Sequence, residues 1–297
     1  MADYISQFDD YLRNTKRASE NTRLSYLRDV EAFFLHLRSI PLEPVQVSTS
    51  IVRSYLDSLR SVGRSETTIL RNLASIRCLY KFFIMQGYIA ANPTRDIKLD
   101  HVDKKLPQIL TGEEIRLLLE QPDLESPKGC RDKAMLELLY ATGIRVSELI
   151  NLDVKDVNLR SRTLLCNGAR AERSIPIYPS AVVAVSDYLY RVRDLLLCGE
   201  SGDALFINLN GYRLTRQGFW KIIKEYANAA GITKEITPHT LRHSFALHLL
   251  ENGASIRDIQ TMLGHADVSS TQVYTLLMDN HVKEVYNKCH PRAKHAR

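Results

Sequence analysis

The chain has 297 residues, 44% of them hydrophobic and 25% charged, a balance that excludes an intrinsically disordered protein. Forty Lys and Arg stand against 34 Asp and Glu, a formal charge of +6 that suits a polyanionic partner. Five scattered cysteines (Cys78, Cys130, Cys166, Cys198, Cys289) contain no CxxC pair, which argues against a disulfide framework and a zinc ribbon. No segment has the apolar core of a signal peptide or reaches the roughly 18 apolar residues of a membrane span, so the chain is expected in the cytoplasm with no membrane partner.

Residues 1–100 read as helices only. Tyr26, Leu27, Val30, Phe33, Phe34 and Leu37 recur at helical spacing. A proline-containing turn over 40–45 and a helix over 51–59 follow. A stronger helix begins after Ser65 and sets Ile69, Leu73, Ile76, Leu79, Tyr80 and Phe83 on one face, stopping near Gly87 before Asn92-Pro93. Exposed basic residues are expected here at Arg17, Arg23, Arg64, Arg71, Arg77 and Lys81, each either a phosphate contact or part of a solvated helix face.

The charged stretch 101–110 reads as a linker, and the capping box Thr111-Gly-Glu-Glu114 opens a new helix beyond it. The expected domains are therefore 1–105 and 106–297. The second is mixed, with helices near 112–121, 130–141, 145–151, 180–197, 214–230, 239–252 and 255–263. Strands are expected at 163–167 and 173–177 around a glycine-containing turn, with a third at ALFIN from 204.

Three segments carry residues suited to phosphate chemistry. In ATGIRVSEL (141–149), Gly143 ends a helix, and Arg145 and Glu148 lie three apart at the start of the next. The arginine suits a phosphate and the glutamate suits fixing its guanidinium; a surface ion pair has the same spacing. In TPHTLRHSFALHLL (237–250), His239 and Arg242 are again three apart near a helix N-terminus, where free N–H groups favour anions. In MLGHADVSSTQVYT (262–275), Gly264 stops a helix, His265 follows, and Tyr274 comes nine residues later.

Each segment alone is weak evidence, but together the order Arg…HxxR…GH…Y resembles the tyrosine site-specific recombinase, or phage integrase, family. SENTRLSYLRDVEAF in the N-terminal region is similar to that family's core-binding domain, and CHPRA (289–293) and the length place the chain nearest the bacterial Xer recombinases of the XerD type. The resemblance implies a mainly α fold with a small β-sheet: a helical, SAM-like core-binding domain and a mixed α/β catalytic domain that close on DNA as a C-shaped clamp. It implies an enzyme that cuts and rejoins DNA through a covalent 3′-phosphotyrosyl intermediate, with type IB topoisomerase-like chemistry and neither metal nor other cofactor. Tyr274 is then the nucleophile, Arg145 and Arg242 clamp the phosphate, His239 assists the tyrosine or the phosphate, His265 hydrogen-bonds the phosphate and Glu148 stands behind Arg145. The implied partners are double-stranded DNA at a dif-like site, a homo- or hetero-tetramer with a sister Xer recombinase, and the FtsK translocase. The implied role is resolution of chromosome dimers in cell division, and the implied C-terminal helix, with Val282, Val285 and Tyr286, exchanges between subunits.

One position departs from the pattern. The family places a lysine in the turn between two strands to protonate the leaving 5′ hydroxyl, and CNGARAERSIPI (166–177) has none. Counting forward from Arg145 puts Ala169 there; counting back from Glu172-Arg173 puts Gly168 there. Arg170 is the nearest base, and its pKa above about 12 makes it a poor proton donor. One alternative is a mobile-element integrase of the same family; the missing lysine raises another, a catalytically impaired DNA-binding relative. A type IB topoisomerase is a further rival, disfavoured by the two-domain layout and by the tail after Tyr274.

Overall fold

The computed structural model describes residues 2–40, 42–99, 107–167, 172–197, 202–237 and 239–264. Internal contacts divide the chain into two compact units, Met1–Lys104 and Lys105–Arg297.

The first unit is a helical bundle. Helix α1 (Ala2–Asp10) runs through a π-helical turn (Tyr11–Thr15) and supplies Phe8 and Leu12 to the core. Helix α2 (Glu20–Leu37) is capped by Ser19, whose hydroxyl accepts from the Thr22 N–H at 3.3 Å. Helices α3 (Thr49–Ser61) and α4 (Glu66–Met85) complete the bundle, and Ser65 caps α4 in the same manner. Phe33, Tyr55, Tyr80, Phe82 and Phe83 fill the interior with tilted and edge-on ring pairs.

Two of the basic residues expected to be exposed, Arg23 and Arg77, turn out otherwise, whereas Arg71 is exposed but paired. Arg23 is buried, its guanidinium bound by Glu20 at 2.6 Å and by Asp9 at 2.5 Å, because a charge facing the α1–α2 contact must be paired. Arg71 donates to Asp29 at 2.8 and 3.0 Å, and Arg77 donates to the Ile97 carbonyl. Arg17, Arg64 and Lys81 are exposed.

The second unit is built around α6 (Pro127–Thr142), buried on nearly every face. Ser126 caps it and Pro127 occupies its first turn, so it begins earlier than the apolar pattern indicates. Helix α5 (Gly112–Glu120) opens with the expected capping box: Thr111 N–H to Glu114 at 2.7 Å and Glu114 N–H to Thr111 at 3.2 Å. Helix α7 (Val146–Asn151) follows the turn at Gly143. Further on, α8 (Pro179–Asp187) continues through a π-helical turn (Tyr188–Val192) into α9 (Arg193–Leu196), and α10 (Arg216–Ala229), α11 (Thr240–Glu251) and α12 (Ile256–Leu263) follow.

The sheet is antiparallel in the order β1 (Val157–Asn158), β2 (Thr163–Asn167), β3 (Glu172–Pro176). The third strand is thus not ALFIN. Asn158 accepts from the Ser161 N–H at 2.9 Å, a tight turn that folds Val157 onto Leu164. Ala204, Leu205, Phe206 and Ile207 are instead buried consecutively and make isolated bridges at Ala204 and Ile207. A run buried on both sides has no solvent face to alternate with, so its apolar string imitates a strand. The mainly helical architecture with a small sheet is as the sequence indicates.

Candidate active site

Helices α6, α7, α11 and α12 and strand β3 bring four of the sequence-selected residues and one further arginine into one region. The α6–α7 turn comes first. Gly143 adopts φ +59°, and a Cβ there would lie 2.3 Å from the Phe245 ring, so a side chain is excluded by both conformation and space. The tight turn brings Arg145 to the start of α7.

Arg145 is held at both ends by Glu148. Its backbone N–H donates to Oε2 at 2.7 Å, and its guanidinium donates to Oε1 at 3.2 Å. The Arg145 side chain remains 40% exposed, whereas that of Glu148 is only 10% exposed. Burial by itself pushes the Glu148 carboxyl up. Hydrogen bonds from Arg173 and from the Arg145 backbone, with the charges of both arginines, outweigh burial and hold it below the ordinary glutamate value. Glu148 is therefore a fixed anion at neutral pH, and the spacing-based expectation that it supports Arg145 describes the geometry found.

Arg242, on α11, is 3% exposed. A buried guanidinium must have its N–H groups met. One Nη donates to the Gly143 carbonyl and the other to the Leu263 carbonyl, both at 2.7 Å. These oxygens end α6 and α12, so one side chain neutralises the negative ends of two helices. Arg242 is thus both a candidate phosphate ligand and a staple of the fold.

His239 precedes α11 and takes a helical conformation itself, while the Thr237 N–H is met by the Thr240 hydroxyl at 2.8 Å. The first turn of α11 is therefore tied down by its threonines, with His239 at its mouth. Its ring is exposed, 6.1 Å from that of His243. Partial loss of water, then repulsion from Arg242, Arg145 and Arg216 in that order, hold the imidazole below its ordinary value of 6.5. At neutral pH it is uncharged and able to accept a proton.

Arg173 on β3 was not among the residues singled out from the sequence. Its two Nη atoms donate to Glu148 at 3.1 and 2.9 Å, and its Nε donates to the Met262 carbonyl at 2.8 Å. The available signal was the strand alternation: Arg173 lies on the same inward face as Ile175, and a charge on an inward face demands a partner. Directly across the sheet is Cys166, 1% exposed, whose thiol is pushed up to about 11 chiefly by burial. It forms an uncharged, dry floor beneath the arginines.

Tyr274, His265, Gly168, Ala169 and Arg170 lie outside the described residues, as does the tail with Val282, Val285 and Tyr286. Among the described residues, no group of three or more His, Cys, Asp and Glu is placed to hold a metal ion. No described helix is long and apolar enough to cross a membrane.

Sequence and fold comparisons agree with this arrangement. Residues 108–281 match the phage integrase family, and residues 5–87 match its N-terminal SAM-like domain. The chain is 41% identical over 295 residues to a tyrosine recombinase XerD of Staphylococcus haemolyticus, covering 99% of this chain and 100% of that protein. It is 43% identical over 294 residues to a tyrosine recombinase XerD of Halalkalibacterium halodurans, covering 97% and 98%. In fold it is similar to the XerH site-specific recombinase bound to palindromic difH substrate in a post-cleavage complex, with a TM-score of 0.77, 22% identity, and coverage of 95% of this chain and 84% of that one. A helical SAM-like unit followed by an arginine-rich catalytic unit, with relatives matched end to end, leads to one assignment: the chain belongs to the phage integrase family and is a tyrosine recombinase of the XerD type, an enzyme that cleaves and rejoins DNA strands.

Proposed function

We propose that the chain recombines double-stranded DNA at a dif-type site, and that it resolves chromosome dimers in the cytoplasm during cell division. It would act as a homo- or hetero-tetramer with a sister Xer recombinase, with a translocase of the FtsK kind as regulator. The observation that carries the reading is the Arg145–Glu148–Arg173–Arg242 network with an uncharged His239 beside it, in a chain matched end to end by XerD recombinases.

In the proposed reaction the Tyr274 oxygen attacks a DNA phosphorus and forms a 3′-phosphotyrosyl ester as the bond to the 5′ oxygen breaks. Charge builds on the non-bridging oxygens, and fixed guanidinium donors stabilise it most where water is excluded. Arg145 presents its exposed face to that phosphate; Arg242 reaches it from the buried side. His239 takes the phenolic proton, and His265 hydrogen-bonds the phosphate. Because the ester keeps the energy of the broken bond, the 5′ hydroxyl of a second duplex reseals the strand with no nucleotide consumed.

A nicked suicide duplex carrying a dif-type site tests this directly. The wild-type chain should become covalently attached to it, and Tyr274→Phe should bind the duplex but form no adduct. An adduct in Tyr274→Phe sinks the assignment of the nucleophile, and no adduct in the wild type favours the impaired, DNA-binding relative.

The turn without a lysine gives a second test. General acid assistance is typically worth about a hundred- to ten-thousandfold, so Ala169→Lys should raise cleavage of an ordinary phosphodiester several-fold or more. A substrate with a 5′-bridging sulfur, whose leaving group needs no proton, should be cut equally by both proteins. If Ala169→Lys brings no gain, Gly168→Lys is the next substitution, and Arg170 or a water becomes the proton source if that fails as well.

A further inference from the structure

Arg173 joins two parts of the site that come from distant stretches of sequence. One end of its guanidinium forms a two-oxygen fork with Glu148, the carboxylate that fixes both the backbone and the side chain of Arg145. Its Nε holds the Met262 carbonyl in the last turn of α12. Gly264, which closes α12 at φ +62°, lies directly against the same guanidinium: a Cβ there would sit 3.0 Å from an Nη atom and 3.1 Å from Cζ. In the sequence the residue after Gly264 is His265.

The contact is built for rigidity. The Arg173 side chain is 9% exposed and that of Glu148 is 10% exposed, so the pair is shielded from the solvent screening that makes surface pairs weak. The planar fork fixes angle as well as distance, which a lysine ammonium cannot do. Arg173 is also the second residue of β3, two residues after the stretch 168–171 that joins β2 to β3 in the sequence.

We propose that Arg173 is a positioning residue for strand cleavage, setting Arg145, through Glu148, in register with the end of α12. The proposal rests on the recombinase reading of the site. It places no contact between Arg173 and DNA. Its effect passes through Arg145, and that makes it separable from a merely structural ion pair.

The test is a mutant cycle read by single-turnover cleavage of the nicked duplex, with binding measured separately by gel shift. Misplacing a catalytic group by a fraction of a contact distance costs up to about a hundredfold, so Arg173→Ala should cleave about ten- to a hundredfold more slowly. Its affinity for the duplex should stay within about threefold of wild type, since many other phosphate contacts carry binding. Arg173→Lys keeps the charge but not the fork and should recover only part of the rate. The double variant Arg145→Ala with Arg173→Ala should be no slower than Arg145→Ala alone within about threefold, because groups in one network do not add.

Multiplicative losses in the double variant overturn the proposal, as do wild-type rates in Arg173→Ala or parallel losses of binding and rate. If Arg173→Ala does not fold, Arg173→Lys and its double variant with Arg145→Ala give the same comparison. If the wild-type chain forms no adduct, the recombinase reading itself has failed, an outcome distinct from a wild type that cleaves and an Arg173→Ala that cleaves equally well.

Discussion

Both units hold buried or half-buried arginines, but they balance the charge differently. In the N-terminal bundle Arg23 is met by Asp9 and Glu20, and Asp9 also pairs with Arg13. Arg71 is met by Asp29, which accepts from the Ser75 hydroxyl as well. Arg23 and Arg71 there each have carboxylates for company, so these two clusters close on themselves. In the catalytic unit Arg145 and Arg173 share the single carboxylate of Glu148, and Arg242 donates to carbonyl oxygens, which carry no net charge. The first arrangement stabilises a bundle; the second leaves positive potential for an anion to satisfy.

The comparison can be broken most decisively at Arg145 and Arg242, the two arginines proposed to clamp the phosphate. Arg145→Ala and Arg242→Ala should each lower single-turnover cleavage by at least about a hundredfold, the scale of losing one preorganised oxyanion donor. Calorimetry should then tell them apart: only Arg242→Ala should unfold at clearly lower temperature, since it strips two buried carbonyls of their donor. Equal melting temperatures would remove the staple role given to Arg242.

The mirror-image experiment is Asp29→Ala. Loss of the Arg71 and Ser75 hydrogen bonds should cost about 1–3 kcal/mol of stability in urea unfolding, while cleavage at saturating DNA stays at the wild-type rate. A slowed cleavage step would mean that the bundle network is not self-contained.

The smallest effect expected is on pH dependence. Arg216 is one of three arginines holding His239 below 6.5. Removing it in Arg216→Ala relieves part of the repulsion, so the imidazole rises toward 6.5 and stays protonated to higher pH. The acid limb of the cleavage profile, where a general base is lost, should therefore move upward in pH, and the His239 ring resonance in NMR should titrate with it. A shift in the opposite direction would separate the acid limb from His239.

The sequence made helix starts legible at Ser65 and at the Thr111 capping box, but the cap at Ser126 went unread and α6 begins before the expected 130. Helix α1 was not set apart within the helical N-terminal region because it is only nine residues long. ALFIN misled because complete burial erases the alternation that separates strand from buried loop. At the site, Arg145, Glu148, His239 and Arg242 were singled out by the family order Arg…HxxR…GH…Y, because the three-residue spacing of each pair is weak evidence alone. Arg173 was not, because its partners are 25 and 89 residues away. Arg23 was misjudged for a related reason: one of its carboxylates is its own-helix neighbour Glu20, and the other, Asp9, belongs to a helix that the pattern had not revealed.

Arg242 carries one last consequence, for the order in which the protein is made. Its guanidinium binds the Gly143 carbonyl, 99 residues earlier, and the Leu263 carbonyl, 21 residues later. A ribosome that has released everything up to Arg242 has still not made the second of these oxygens. The arginine staple therefore cannot close until α12 has been synthesised and folded back onto α6 and α11, a long-range closure of the slow kind. A nascent chain can complete its N-terminal bundle well before it completes a centre able to cut DNA.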